Sequence, residues 1–453
     1  MRKAGVLLHP TSLPHGVLDH HVEKFLDWMV AAGLSVWQML PLCVPHQDRS
    51  PYQCYSAYAV NPALLPNGEG WHDSDEQGFA SFCRNEAFWL DDYALFMALK
   101  QHHDYLLWSQ WPDRYRYRDA ATLSQFALDN QHSLRALKKE QYSLFTLWQR
   151  VRESAHQRGI QLFGDIPIAV SYDSADVWSQ PQLFKLDGQL QPTVVAGVPP
   201  DYFSEKGQLW GNPHYNWSVM QQNNFSWWRA RMTNALRQFD FVRIDHFRGL
   251  QALWEVPAAA PTAIDGCWVE TPGRELLTVL KNDFPHMPFV AEDLGLITAE
   301  VVALRDDFDL PGLSVLHFGF DGNPDNPHNL DNQAENTVVY TGTHDNNTTC
   351  GWFDSLPVDV QQQVLAKLPQ DSGEMPWPMI IAALHSPARL AIIPMQDWLA
   401  LDGAHRTNTP GTIDHNWSWR FSWQQVPETL ALKIRCWLQQ SERISSEDKA
   451  NGV

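Results

Sequence analysis

The chain has 453 residues, of which 44% are hydrophobic and 19% charged, enough for a large core and far from the composition of a disordered chain. Its formal net charge of −19 repels phosphate backbones and anionic lipid, which argues against nucleic acid and membrane surfaces as partners and suits a neutral substrate. The apolar stretch Ala4–Leu8 is broken by His9 and Pro10, too short for a secretion signal, and no run approaches the roughly 20 apolar residues that cross a bilayer. Six scattered cysteines (43, 54, 83, 267, 350, 436) without a Cys-x-x-Cys pair indicate neither a zinc site nor a disulfide framework, and place the chain in a reducing cytoplasm. Twenty-one tryptophans suit a carbohydrate binder, because aromatic faces pack on the C–H faces of sugars, although any single tryptophan reads first as core.

In chain order, eight short apolar runs read as strands: Gly5–His9, Ser35–Leu42, Gln161–Ile168, Phe241–His246, Phe289–Asp293, Leu313–Phe320, Val338–Asp345 and Arg389–Gln396. Helical patterns lie between several of them. In the clearest, Leu144, Leu147, Trp148, Val151 and Ala155 share one face, Gly159 stops the helix and Ile160 opens the next strand. Alternating strands and helices imply a parallel sheet, and eight strands imply a closed (β/α)8 TIM barrel, an α/β fold. No glycine-rich nucleotide loop follows any strand, which disfavours an open Rossmann-type sheet.

The expected organisation is one catalytic domain over residues 1–440, with helical and loop-rich insertions at the C-terminal mouth and no C-terminal β-sandwich domain. The segment of about 63–140 reads as a helical subdomain, with one helix over Asp91–His102. The Pro-, Gly-, Asn- and aromatic-rich segment of about 171–230 reads as loops shaping a substrate site. Residues 441–453 read as a polar, frayed tail. The histidine pairs His20-His21 and His102-His103 fall on helix surfaces and are assigned no chemistry.

Three strand ends carry acids. Arg243 and Asp245, two apart in FVRIDHFRGL, share a face of their strand. An adjacent guanidinium favours the ionised carboxylate that a nucleophile needs, and an ion pair closing the strand end is the plainer reading. In FVAEDLG the strand delivers Glu292 and Asp293. An apolar pocket around Glu292 would raise its pKa and suit it to protonate a leaving oxygen, while Asp293 reads as a helix cap. In VVYTGTHDNNT, His344 and Asp345 end a strand and can bind metal, cap a helix or hold sugar hydroxyls. Metal is least favoured, because no second cluster has matching ligand spacing. Successive acids are separated by about one strand–helix–strand step, so all three can meet at one end of the barrel. Two carboxylates about 5 to 5.5 Å apart would support a retaining double displacement.

The segments GVLLHPTSLP, WQMLPL, SPYQCYSAYAVNP, FGDIPIAV, VVAGVPPDYFSEKGQLWGNP, VRIDHFRG, VAEDLG, YTGTHDNNT, PMQDWLAL, NTPGT and NWSWR resemble, in this order and over nearly the whole chain, the 4-α-glucanotransferases called amylomaltases or disproportionating enzymes. Those are relatives of the α-amylases. The resemblance implies Asp245 as nucleophile, Glu292 as general acid/base and Asp345 as the group that holds ring hydroxyls and stabilises the transition state. It implies further that Tyr52 stacks on the glucose at the cleavage point, that Arg243 keeps Asp245 ionised, that His246 and His344 hydrogen-bond that glucose, and that Asp165 helps close the pocket. The segment Gly197–Gln208 resembles the lid, with Asp201, Tyr202 and Phe203 over the cleft and Trp210 on the acceptor side.

The implied substrates are α-1,4-glucans, namely maltodextrins and fragments of starch or glycogen, with no cofactor and no metal. The chain departs from the family after TSLP, where a glycine-rich stretch is missing, and at His46-Gln47-Asp48-Arg49 ahead of SPYQ. Donor-side subsites or a secondary glucan site are expected to be reduced. Two alternatives remain: an α-1,4-glucan hydrolase, separable by its products from maltotriose, and a non-catalytic glycan-binding protein, which would have no need of three acids with Arg243.

Overall fold

A computed structural model describes residues 2–66, 75–200, 204–370 and 372–444. Twelve strands are present among them: β1 Lys3–Leu7, β2 Val36–Gln38, β3 Gln161–Pro167, β4 Val194–Val198, β5 Gln208–Pro213, β6 Phe241–Asp245, β7 Ala252–Pro257, β8 Cys267–Glu270, β9 Phe289–Ala291, β10 Gly312–Val315, β11 Thr337–Tyr340 and β12 Leu390–Pro394. Each of the eight runs read from the sequence supplies one strand of a single eight-stranded sheet in the order β10-β11-β12-β1-β2-β3-β6-β9, parallel throughout. The two end strands meet without a regular ladder. Ala291 N–H donates to the Pro311 carbonyl at 2.8 Å, and Leu313 N–H donates to Asp293 Oδ1 at 2.7 Å, which closes a (β/α)8 barrel.

Strand alternation sorts the side chains. Leu7, Val36, Phe163, Val290, Val315, Tyr340 and Ile392 fill the barrel interior, while Val6, Trp37, Leu162, Val242, Ile244, Ala391 and Ile393 face the helices outside. In β6 this parity turns Arg243 and Asp245 inward with Phe241, whose ring stacks on Phe163 at 4.4 Å. The expected helical face is buried at Leu144, Trp148, Val151 and Ala155 in the long helix Gln131–Gln157, with Leu147 half-buried at its flank. Trp37, Trp108, Trp148, Trp178, Trp228 and Trp398 are fully buried, so much of the tryptophan content is core.

Helices Glu76–Asn85, Ala87–His102, Asp113–Arg116 and Ala120–Asp129 precede the long helix, and the expected helix over Asp91–His102 is the greater part of the second. Lys100 of that helix is buried and pairs with Asp173 at 2.6 Å, while also donating to the carbonyls of Tyr105 and Leu106.

Three expectations are corrected. The loop-rich segment contains β4 and β5, which join β7 and β8 in a four-stranded antiparallel sheet of order β5-β4-β7-β8. Its strands β5 and β8 are largely exposed, so they lack the buried apolar runs that marked the barrel. Asp293 caps no helix: it accepts from Leu313 N–H and pairs with Arg305 at 2.5 Å, against a glycine, Gly312, that leaves room for its carboxylate. Of the expected tail 441–453, residues 441–444 are packed, because Ser441 and Arg443 are buried and Arg443 donates to the carbonyls of Lys3, Leu384 and Ala388, and 445–453 lie outside the described residues.

Candidate active site

The C-terminal ends of β3, β6, β9 and β11 converge at the barrel mouth, and Arg243 stands at their centre. Its guanidinium is buried and donates from Nη1 to Asp165 Oδ2 at 2.7 Å. Nη2 lies 2.8 Å from Asp245 Oδ1 and 3.9 Å from Glu292 Oε2, so these two oxygens can be no farther apart than the sum of those distances. Burial works against the charge of Arg243, and Asp165 and Asp245 more than restore it.

Glu292 follows β9 and is 8% exposed. Burial lifts its carboxyl to about 7, against the pull of Arg243 and of two backbone amides, His246 N–H at 2.6 Å and Leu294 N–H at 2.9 Å. The amide from His246 is available because that residue adopts a left-handed conformation, φ 53°, and turns the chain sharply at the end of β6. The same turn puts the His246 ring edge-on to Trp210 of β5 at 4.8 Å. Burial holds the ring down to about 4, so it is neutral at pH 7, and its buried Nε2 has no partner among the described residues.

Asp345 reaches the cluster through a relay. His344 Nε2 lies 3.3 Å from Asp345 Oδ2 and 3.0 Å from the Tyr52 hydroxyl, which donates to Asp165 Oδ2 at 2.7 Å. The Tyr52 ring stacks on His344 at 5.3 Å and 15°. Burial opposes the charge of His344, but Asp345 raises it above the ordinary histidine range. Burial likewise opposes the charge of Asp345; His344, the Asn408 amide and Arg243 overcome it and hold the carboxyl well below the usual range. Nearly half of the Asp345 side chain, 47%, is exposed.

Several members of this site were not singled out in the sequence. Asn408 Nδ2 donates to Asp345 Oδ1 at 2.6 Å, and Arg406 donates to the Asp345 carbonyl at 2.9 Å. Trp417 packs 6.0 Å from Tyr52 and 5.9 Å from His344. Asn408 and Trp417 belong to the NTPGT and NWSWR segments, whose resemblance was noted, and Arg406 lies two residues before the first, but their convergence on Asp345 and its neighbours is a product of the tertiary fold. His344, Arg406, His9 and Trp419 also line an open recess, which none of the three carboxylates lines. Asp201, Tyr202 and Phe203 lie outside the described residues. The described flanks of that segment are strand, with Val198 paired to Gln208 and Gly197 to Leu209.

A (β/α)8 barrel with a glutamic acid lifted to about 7 and an aspartate on one guanidinium has the equipment of enzymes that break glycosidic bonds with paired carboxylates. The sequence profile of the 4-alpha-glucanotransferases, glycoside hydrolase family 77, matches residues 7–69 and 67–425. The chain is 41% identical over 500 residues to the 4-alpha-glucanotransferase of Thermus thermophilus, covering 98% of this chain and 99% of that one. It is 41% identical over 485 residues to that of Synechocystis sp., covering 95% and 96%. Among solved structures it is similar to the amylomaltase of Streptococcus agalactiae in complex with acarbose, with a TM-score of 0.93, 31% identity and coverage of 98% of this chain and 100% of that one. The chain belongs to the 4-alpha-glucanotransferase family, and its activity is glucan transfer.

Proposed function

We propose that Asp245, Glu292 and Asp345 carry a retaining transfer of α-1,4-glucan segments from a donor maltodextrin to the 4-OH of an acceptor. The observation that carries this reading is the single guanidinium of Arg243 between Asp165, Asp245 and Glu292, with Glu292 lifted to about 7. Asp245, ion-paired at 2.8 Å, attacks the anomeric carbon, while Glu292 delivers its proton to the departing glycosidic oxygen. The glycosyl-enzyme ester then forms, and the reducing-end fragment leaves. Glu292, now a carboxylate, takes the proton of the incoming 4-OH as that oxygen displaces Asp245, which restores both groups. Asp345, nearly half exposed and oriented by Asn408, holds ring hydroxyls and offsets the positive charge of the oxocarbenium-like transition state.

Tyr52 stacks on the glucose at the cleavage point, His246 and His344 bond its hydroxyls, and Asp165 fixes Tyr52 and Arg243. The segment that joins β4 and β5, which includes Asp201, Tyr202 and Phe203, serves as the lid over the intermediate. Trp210 receives the acceptor, so that a sugar hydroxyl reacts in preference to water. The substrates are maltodextrins and fragments of starch or glycogen. The six cysteines are unpaired, which supports a cytoplasmic setting, and among the described residues no helix is long and apolar enough to cross a membrane.

Incubation with maltotriose alone tests this reading. Glucose together with chains longer than maltotriose is expected, and Asp245→Asn, prepared free of deamidation, should abolish both. Only shorter products would identify a hydrolase, and undiminished exchange in the variant would remove Asp245 from the chemistry.

A further inference from the structure

The turn after β1 gathers three imidazoles around one carboxylate. His15 Nδ1 lies 2.6 Å from Asp19 Oδ2, and His20 Nδ1 lies 3.6 Å from the same oxygen. The rings of His15, His20 and His21 are in mutual contact, with centroids 5.8, 4.4 and 4.1 Å apart. Asp19 caps the helix His20–Ala32 with its other oxygen, Oδ1, which accepts from His21 N–H at 2.9 Å. Its Oδ2 is thereby left to the histidines. One donor atom from each of His15, Asp19 and His21 falls within 4.8 Å of the others.

We propose that His15, Asp19 and His21 form a binding site for a borderline divalent cation of the zinc class, with water completing the coordination. Two imidazoles and one carboxylate match that class, whereas calcium and magnesium prefer an all-oxygen set. Ligand bonds of about 2.0 to 2.2 Å in a tetrahedron require donor atoms about 3.3 Å apart. The His15–Asp19 pair must open by well under an ångström, and His21 must draw in by about the same order or somewhat more. The cation replaces the hydrogen shared by His15 and Asp19. The positive end of the helix dipole opposes it, and the carboxylate at the N-cap offsets that opposition.

A second residue answers to the site. Trp423 Nε1 donates to His21 Nδ1 at 3.1 Å. An indole only donates, so Nδ1 must carry a bare lone pair. A metal on Nδ1 displaces the indole. A metal on Nε2 forces the remaining hydrogen onto Nδ1, and again the indole is rejected. Binding by either nitrogen therefore releases Trp423. That residue neighbours Phe421, whose N–H donates to the Ser12 carbonyl at 3.0 Å and whose ring contacts Trp423 at 5.1 Å.

Titration calorimetry with zinc chloride on the tag-free full chain tests the site by binding, independently of the catalytic reading. One saturable zinc per chain is expected, weakened at least about a hundredfold in the double variant His15→Ala/His21→Ala. Trp423→Phe, which removes the competing donor, should bind about fivefold more tightly. Far-UV circular dichroism and melting recorded before zinc is added establish that each variant is folded. Absence of saturable binding, or a double variant that binds as tightly as the parent, overturns the proposal. Unchanged affinity in Trp423→Phe removes His21 from the ligand set and overturns the site as assigned.

Discussion

In the proposed mechanism Glu292 sets the pH response of the chemistry. A carboxyl lifted to about 7 is largely protonated below that pH and loses its proton above it, so the acid form needed to release the leaving oxygen declines as pH rises through 7. We expect kcat/KM to fall about tenfold per pH unit on the alkaline limb, and Glu292→Gln to remove this limb along with most of the activity; initial rates on maltotriose across pH check it. Asn408 acts on the neighbouring acid. Its amide holds Asp345 Oδ1 at 2.6 Å, and a hydrogen bond to a charged group contributes about 1.5–3 kcal/mol. Asn408→Ala should lower kcat by about ten- to a hundredfold with little change in KM if, as proposed, Asp345 acts chiefly in the transition state; steady-state kinetics separate the two parameters.

Among the elements, the barrel strands were legible because each is buried on both faces and reads as an apolar run that ends in polar residues. The acids at their ends were legible for the same reason: Asp245, Glu292 and Asp345 interrupt those runs. The antiparallel sheet was not legible, since β8 is largely exposed and β5 is exposed over much of its length, and neither carries a sustained alternation. Asn408, Arg406 and Trp417 lie in irregular chain, where no periodicity announces which way a side chain points. The helix Ala87–His102 carries a further expectation. Its buried Lys100 is neutralised by Asp173 at 2.6 Å, and Asp173→Ala would leave that cation uncompensated. A loss of about 3–5 kcal/mol is expected, read as a lower denaturant midpoint.

On the scale of the molecule, the parallel sheet brings residues from both ends of the chain into one mouth. Tyr52 and His344, far apart in sequence, share a hydrogen bond at 3.0 Å, so site and fold must assemble together. The junction between β9 and β10 lacks a regular ladder and is held by Ala291, Asp293 and Arg305. Glu292 stands in the same stretch of chain. Mild heating should therefore silence transfer before the far-UV signal falls, a gap that parallel activity and circular dichroism melts would reveal. The barrel has been given a clasp, and the clasp is fastened beside the proposed proton donor; whatever loosens the one is expected to disarm the other.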